Sequence, residues 1–174
     1  ISTHLEIEMN ERQNKSGFAS GNGVWQASVD WLLRPNLRLS GNILYDEFTL
    51  DLGHPLEEGQ GHSNALSYRA VWSPIISENF HTSFITDYIR VGTHTLRHMS
   101  GYNNFVQRGL PLGWHHGSDG DQYRVGLNIF NSSNLITNLL FGGRRAGEET
   151  ITIDPYAPYP HFQEVPFPSG TVTK

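Results

Sequence analysis

The stretch Val24–Tyr45, VWQASVDWLLRPNLRLSGNILY, decides how the rest of the chain is read. Trp25, Ala27, Val29, Trp31 and Leu33 fall on one side of an alternation, and Gln26, Ser28 and Asp30 on the other. After Arg34-Pro35-Asn36 the alternation resumes, with Leu37, Leu39, Gly41, Ile43 and Tyr45 set against Arg38, Ser40, Asn42 and Asp46. Side chains of a strand point to opposite faces with period two, so both runs predict strands with one apolar and one polar face. The Pro-Asn turn between them predicts antiparallel neighbours.

Working outward, the same rhythm recurs five times. Strands are predicted at Ile1–Met9, Val24–Leu33, Leu37–Phe48, Asn64–Ser73, Phe80–Val91, Gln122–Phe130 and Leu135–Gly142. The connections alternate long and short: polar, Gly-rich loops at Asn10–Gly23, Asp51–Ser63 and Gly92–Asp121, and brief turns at Arg34–Asn36, Pro74–Asn79 and Asn131–Asn134. Trp31, Trp72 and Phe80 stand at the short-turn ends of the apolar faces, and Trp25, Tyr45, Tyr88, Tyr123 and Phe141 near the long-loop ends. Phe80 and Tyr88 are eight residues apart, roughly 26 Å along a strand and about 20 Å vertically once tilted. Long strands, two aromatic girdles and two classes of loop length predict an all-β fold, an antiparallel transmembrane β-barrel in the bacterial outer membrane. Seven strands do not close a barrel of even strand number, so the expectation is a segment of a larger barrel whose remaining strands would be its partners. A secreted, soluble β-sandwich with aromatic edges is the alternative architecture.

Composition bounds the functional classes. The 174 residues include four Trp, seven Tyr and nine Phe, yet only 37% are hydrophobic and the mean hydropathy is −0.43, as expected where only alternate strand residues are apolar. No run approaches the about 18 apolar residues of a membrane helix. A net charge of −5 without a basic block argues against a nucleic-acid partner. The absence of Cys excludes a disulfide scaffold and Cys-ligated zinc, and is compatible with export through an oxidising periplasm. The chain is read as strands with long external loops over residues 1–150, followed by a Pro- and aromatic-rich loop over 151–174 that leads to further strands. That tail holds most of the prolines, which cannot donate to a ladder.

The polar faces carry Arg38, Asp46, Arg69, His81, Asp87 and Arg124, predicting a barrel-interior network of mixed charge. The longest loop gathers His94, Arg97, His98, Tyr102, Arg108, Trp114, His115, His116, Asp119 and Asp121. Adjacent His residues diverge in extended chain and match no catalytic zinc spacing, so no metal is expected at His115-His116. Asp119 and Asp121 lie in Gly117-Ser118-Asp119-Gly120-Asp121, which reads as turn chemistry before it reads as an acid pair for glycoside hydrolysis. Nucleophile elbow, phosphate loop and dinucleotide fingerprint are all missing, so the expectation is a protein that is not an enzyme and needs no cofactor. Tyr102, Arg108, Trp114, His115, Asp119 and Asp121 are the candidate ligand contacts, through stacking on sugar rings and hydrogen bonds to their hydroxyls. A loop that only plugs the lumen is the competing reading.

Tyr102-Asn103-Asn104-Phe105 and the run Arg108-Gly109-Leu110-Pro111-Leu112-Gly113-Trp114-His115-His116-Gly117-Ser118-Asp119-Gly120-Asp121 resemble the capsule assembly protein family of the Wzi type. Pro35–Leu39 with Tyr45–Phe48, and Phe167–Gly170, resemble other segments of that family. The resemblance implies an outer-membrane barrel of about eighteen strands that holds capsular or exopolysaccharide at the cell surface, acting as a lectin. A porin passing small solutes is the rival function.

Overall fold

The computed structural model describes residues 24–46, 63–97, 104–131, 135–156 and 167–170. The predicted first strand, Ile1–Met9, lies outside them. Eight strands form in chain order: β1 (Trp25–Arg34), β2 (Leu37–Tyr45), β3 (Asn64–Ile76), β4 (Phe80–Val91), β5 (Val106–Gln107), β6 (Leu110–Pro111), β7 (Gly120–Asn131) and β8 (Leu135–Ala146). The six long strands make one antiparallel sheet in the order β1-β2-β3-β4-β7-β8, and β5 and β6 make a separate two-stranded ribbon.

Local chemistry accounts for the turns and the strand ends. Pro35 and Asn36 join β1 to β2, and the Asn36 carbonyl accepts from Ser73 N at 2.8 Å, tying the turn to β3. Ser77 closes the next turn by accepting from Phe80 N at 3.1 Å on its hydroxyl oxygen. β3 runs past the predicted end at Ser73, through Pro74, because the register with β4 slips between Trp72 and Ile75. A bulge of that kind removes the ladder bond that proline is unable to make. At the ribbon tip Arg108 (φ 54°) and Gly109 (φ 77°) both adopt left-handed backbone, the signature of a two-residue hairpin turn.

Pairing sorts the side chains by face. Trp31, Leu39, Ala70, Thr86, Val125 and Phe141 are successive cross-strand partners on one side. Asp30, Ser40, Arg69, Asp87, Arg124 and Gly142 are successive partners on the other. The apolar face stays open, with Trp25 67% and Phe141 76% exposed. Trp72 stacks on Phe84 at 5.7 Å between ring centroids and Tyr68 tilts against Tyr88 at 5.5 Å, so neighbouring strands are also held by aromatic pairs.

The barrel architecture expected from the sequence, with these strands as one segment of its wall, is not what the strands form. β1 and β8 are the edges of an open sheet, and among the described residues neither pairs with the other or with a further strand. An open edge in hydrocarbon would strand unpaired backbone N–H and C=O groups at several kcal/mol each. The outer-membrane location, the lipid contact and the barrel's remaining strands as partners all presupposed closure, and they fall with it. So does a porin function, since an open sheet encloses no lumen. Among the described residues no helix is long and apolar enough to cross a membrane. Of the architectures weighed from the sequence, the result lies on the side of open sheets.

The buried core lies at the loop end of the sheet, where Asp46 and the described residues after β4 and β8 meet. Val91, Leu96 and Ile151 are the buried hydrophobics among the described residues. Around them sit buried polar groups, including Asp46, Thr93, Thr95, Ser118, Asp119 and Ser169. Asp119 is 0% exposed and organises this knot. Its Oδ1 accepts from Thr93 Oγ1 at 2.8 Å and from Ser169 N at 2.9 Å. Its Oδ2 accepts from Glu149 N at 3.1 Å and from the Ser169 hydroxyl. Gly147 must be glycine here, because a Cβ would strike the Asp119 carboxylate and lie 2.6 Å from Ser169 N. Each buried donor left without an acceptor costs about 1–3 kcal/mol. Asp119→Ala is therefore expected to lose at least about 3 kcal/mol, read as a lower midpoint in urea denaturation. An unchanged midpoint would show that the loops are held by something else.

Candidate functional site

The polar face gives the floor of a cleft of about 540 Å3. Two adjacent cross-strand rows supply it. The first runs Asp30, Ser40, Arg69, Asp87, Arg124; the second runs Ser28, Asn42, Ser67, Ile89, Gln122. Period-two alternation places these residues, polar except for Ile89, on one face, and the register aligns them across five strands. Trp114 and His115 line the same cleft from the loop before β7.

Charge within the floor is nearly but not fully paired. Arg38 Nε donates to Asp30 Oδ1 at 2.8 Å, and this exposed pair holds the Asp30 carboxyl below the usual range through the hydrogen bond from Arg38. Arg124 Nε donates to Asp87 Oδ1 at 2.7 Å. Arg69 stands directly across from Asp87 on the neighbouring strand, with no hydrogen bond or ion pair of its own among the described residues. Two guanidinium groups therefore flank one carboxylate, leaving one cation in surplus.

The roof is a short, braced turn. Gly117 N donates to Trp114 O at 2.7 Å, and Thr150 Oγ1 donates to His116 O at 3.0 Å. Gly117 has φ 88°, and a Cβ there would lie 2.6 Å from Thr150 Oγ1. The His115 and His116 rings sit 3.6 Å apart, and Trp114 meets His116 edge-on at 5.0 Å. Arg144 Nη1 donates to the His116 ring, lying 3.0 Å from Nε2. Burial first, then the charges of Arg144, His115 and Arg124, push the His116 pKa down to about 4.

The structure separates the residues singled out from the sequence. Trp114 and His115 reach the cleft, as do Arg69, Asp87 and Arg124 of the interior set. Arg38 joins them through Asp30. Asp46 does not; it is buried at the end of β2 and accepts from Leu96 N, fastening the loop after β4. Asp119 is spent on the knot, leaving no surface for a solute. Asp121 lies on the other face, where Arg145 Nε donates to its Oδ1 at 2.9 Å and Tyr88 OH donates to its Oδ2 at 3.4 Å. Burial, with Asp121's charge second, raises the Tyr88 pKa. Arg108 sits at the exposed ribbon tip, outside the cleft. Tyr102 falls outside the described residues. Sequence reasoning missed Gln122, Asn42 and the serines, whose strand register, once paired, was the signal that finds them. Among the described residues no group of His, Asp and Glu is placed to hold a metal ion.

No family model, no curated protein and no solved structure matches the chain. The resemblance to the Wzi-type capsule assembly family thus finds no support. The polysaccharide-binding role goes with it, because it rested on that family and on a loop whose two carboxylates are engaged elsewhere.

His116 gives a direct check of the roof. Its folded pKa lies below the ordinary 6.5, so the unfolded chain takes up a proton before the folded one does. The associated stability is present above about pH 6.5 and is lost as pH falls toward about 4. In an NMR titration the His116 ring signals should hold their neutral positions through pH 5, and Arg144→Gln should move the midpoint upward. Titration near 6.5 in the unmodified chain would show the roof open to water.

Proposed function

We propose that the chain is a non-enzymatic binding module for a small organic anion, a carboxylate or phosphate monoester carrying a flat or apolar body. The observation behind this reading is the surplus guanidinium of Arg69 in the cleft floor, beside an Asp87 already engaged by Arg124. Arginine suits such a head group because its planar fork donates two parallel hydrogen bonds. The Ser28, Ser40, Asn42, Ser67 and Gln122 side chains offer further polar contacts, and the half-buried Trp114 ring provides a surface for the apolar body. A binding role is favoured over a chemical one because Asp30 and Asp87, the carboxylates of the floor, are each held by a guanidinium. Neither is left as a ready general base.

The test is calorimetric titration with benzoate, phenyl phosphate and uncharged benzyl alcohol, checked by Trp fluorescence. Arg69→Met should weaken binding of the two anions about 10- to 100-fold, in line with the about 1.5–3 kcal/mol of a charged hydrogen bond. Trp114→Ala should weaken all three ligands. Anion binding unaffected by Arg69→Met, or equal affinity for the alcohol, would rule the reading out.

A further inference from the structure

Among the described residues nothing covers the face opposite the cleft, although it is the more apolar of the two. Trp25, Val29, Trp31, Leu66, Trp72, Phe84, Val125, Leu139 and Phe141 are all exposed on it. Six strands spaced by about 4.8 Å, each presenting about ten residues of about 3.4 Å, span roughly 29 by 34 Å, or about 1,000 Å2. A typical monomer exposes apolar patches of only about 300–600 Å2. A stable interface buries about 800 Å2 on each partner. The face is too large to leave in water and large enough to hold a dimer.

We propose that this face is covered by the same face of a second copy of the chain, forming a two-fold, face-to-face pair of sheets. Two features favour a second copy over a different partner. The charged groups of the face stand at its two ends: Arg34 opposite Leu37 beside the short turn, and, toward the loops, Asp121 paired with Arg145 and the Arg90 guanidinium 4.3 Å over the Phe167 ring. The remaining field bears no charge, so two copies meet without like-charge repulsion, and nothing there selects a partner of opposite sign. The face also sets small residues beside large ones. Gly41 and Ala70 leave hollows beside the projecting Trp31, Tyr68 and Trp72. An isologous pairing would set the large side chains of one copy against the small residues of the other. Sheets stacked this way sit about 10 Å apart with interdigitated side chains. The pairing leaves the cleft on the outer side of each sheet, so it is independent of anion binding.

The full chain in detergent-free buffer is examined by sedimentation velocity over a range of concentrations. The expected species is a dimer that dissociates on dilution. Trp72→Glu and Leu139→Glu should each give a monomer with an unchanged far-UV circular dichroism spectrum. Because the chain has no Cys, single-cysteine variants give a second readout that needs no destabilising charge. Val125→Cys should crosslink to a dimer with a short bismaleimide, and Ser40→Cys on the opposite face should not. A monomer at every concentration would overturn the proposal. So would a dimer that survives both Glu substitutions, which would place the contact at the open strand edges. A chain that disperses only with detergent or phospholipid vesicles, or equal crosslinking from both cysteines, would overturn it as well.

Discussion

Four hydrogen bonds to the Asp119 carboxylate hold the described loops in one place. Thr93, Glu149 and Ser169 come from three separate segments, and each donates to that single side chain. The sheet itself offers little burial, since one face is open and the other is polar. Hydrophobic stabilisation is therefore thin at the loops, with Val91, Leu96 and Ile151 as the buried apolar residues described there. A fully satisfied buried polar group specifies a unique arrangement in a way that a small apolar cluster does not. The same low-polarity surroundings make any missing partner costly, which explains why Gly147 yields its side-chain space to the carboxylate.

The sheet divides its labour by face. Cross-strand register turns a local alternation into continuous rows, and a one-residue slip would exchange the rows between faces. On the polar side the rows set two arginines beside one aspartate. On the apolar side the same strands present a field of Trp, Phe, Leu and Val, broken by small residues. The two faces do not compete for side chains, so a ligand on one and a second copy on the other are compatible demands on six strands.

Much of this was legible in the sequence. Alternation in Trp25–Tyr45 and its four recurrences among the described residues set the strands and their faces, because side-chain direction in a regular strand depends on parity. Strand ends were less legible: Pro74 reads as a stop, and only pairing reveals the bulge that lets β3 continue to Ile76. Closure was not legible at all. Long strands, sorted loops and aromatic ends are local properties shared by open and closed sheets, whereas closure requires the first and last strands to meet. The site was legible in part for the same reason. Arg69, Asp87 and Arg124 follow from parity, but Asp119 and Asp121 differ by two residues and end in unrelated places. Backbone geometry separates them: Asp119 has φ 58° in the turn before β7, whereas Asp121 is already in the ladder. A motif of adjacent carboxylates carries no information about that switch.

The knot and the cleft are joined through the backbone. Asp119 lies two residues after Gly117, which ends the turn bearing Trp114, and Thr150 braces that turn from the segment after Glu149. Thr150 follows directly on the residue whose N–H Asp119 accepts. One carboxylate therefore fixes both supports of the roof, although it touches nothing in the cleft. A roof held from below is preorganised, so a ligand entering under Trp114 has little ordering entropy left to meet. If the cleft binds as proposed, the polar knot contributes to its affinity along with the sheet. On the proposed reading, the surplus charge of Arg69 selects the ligand.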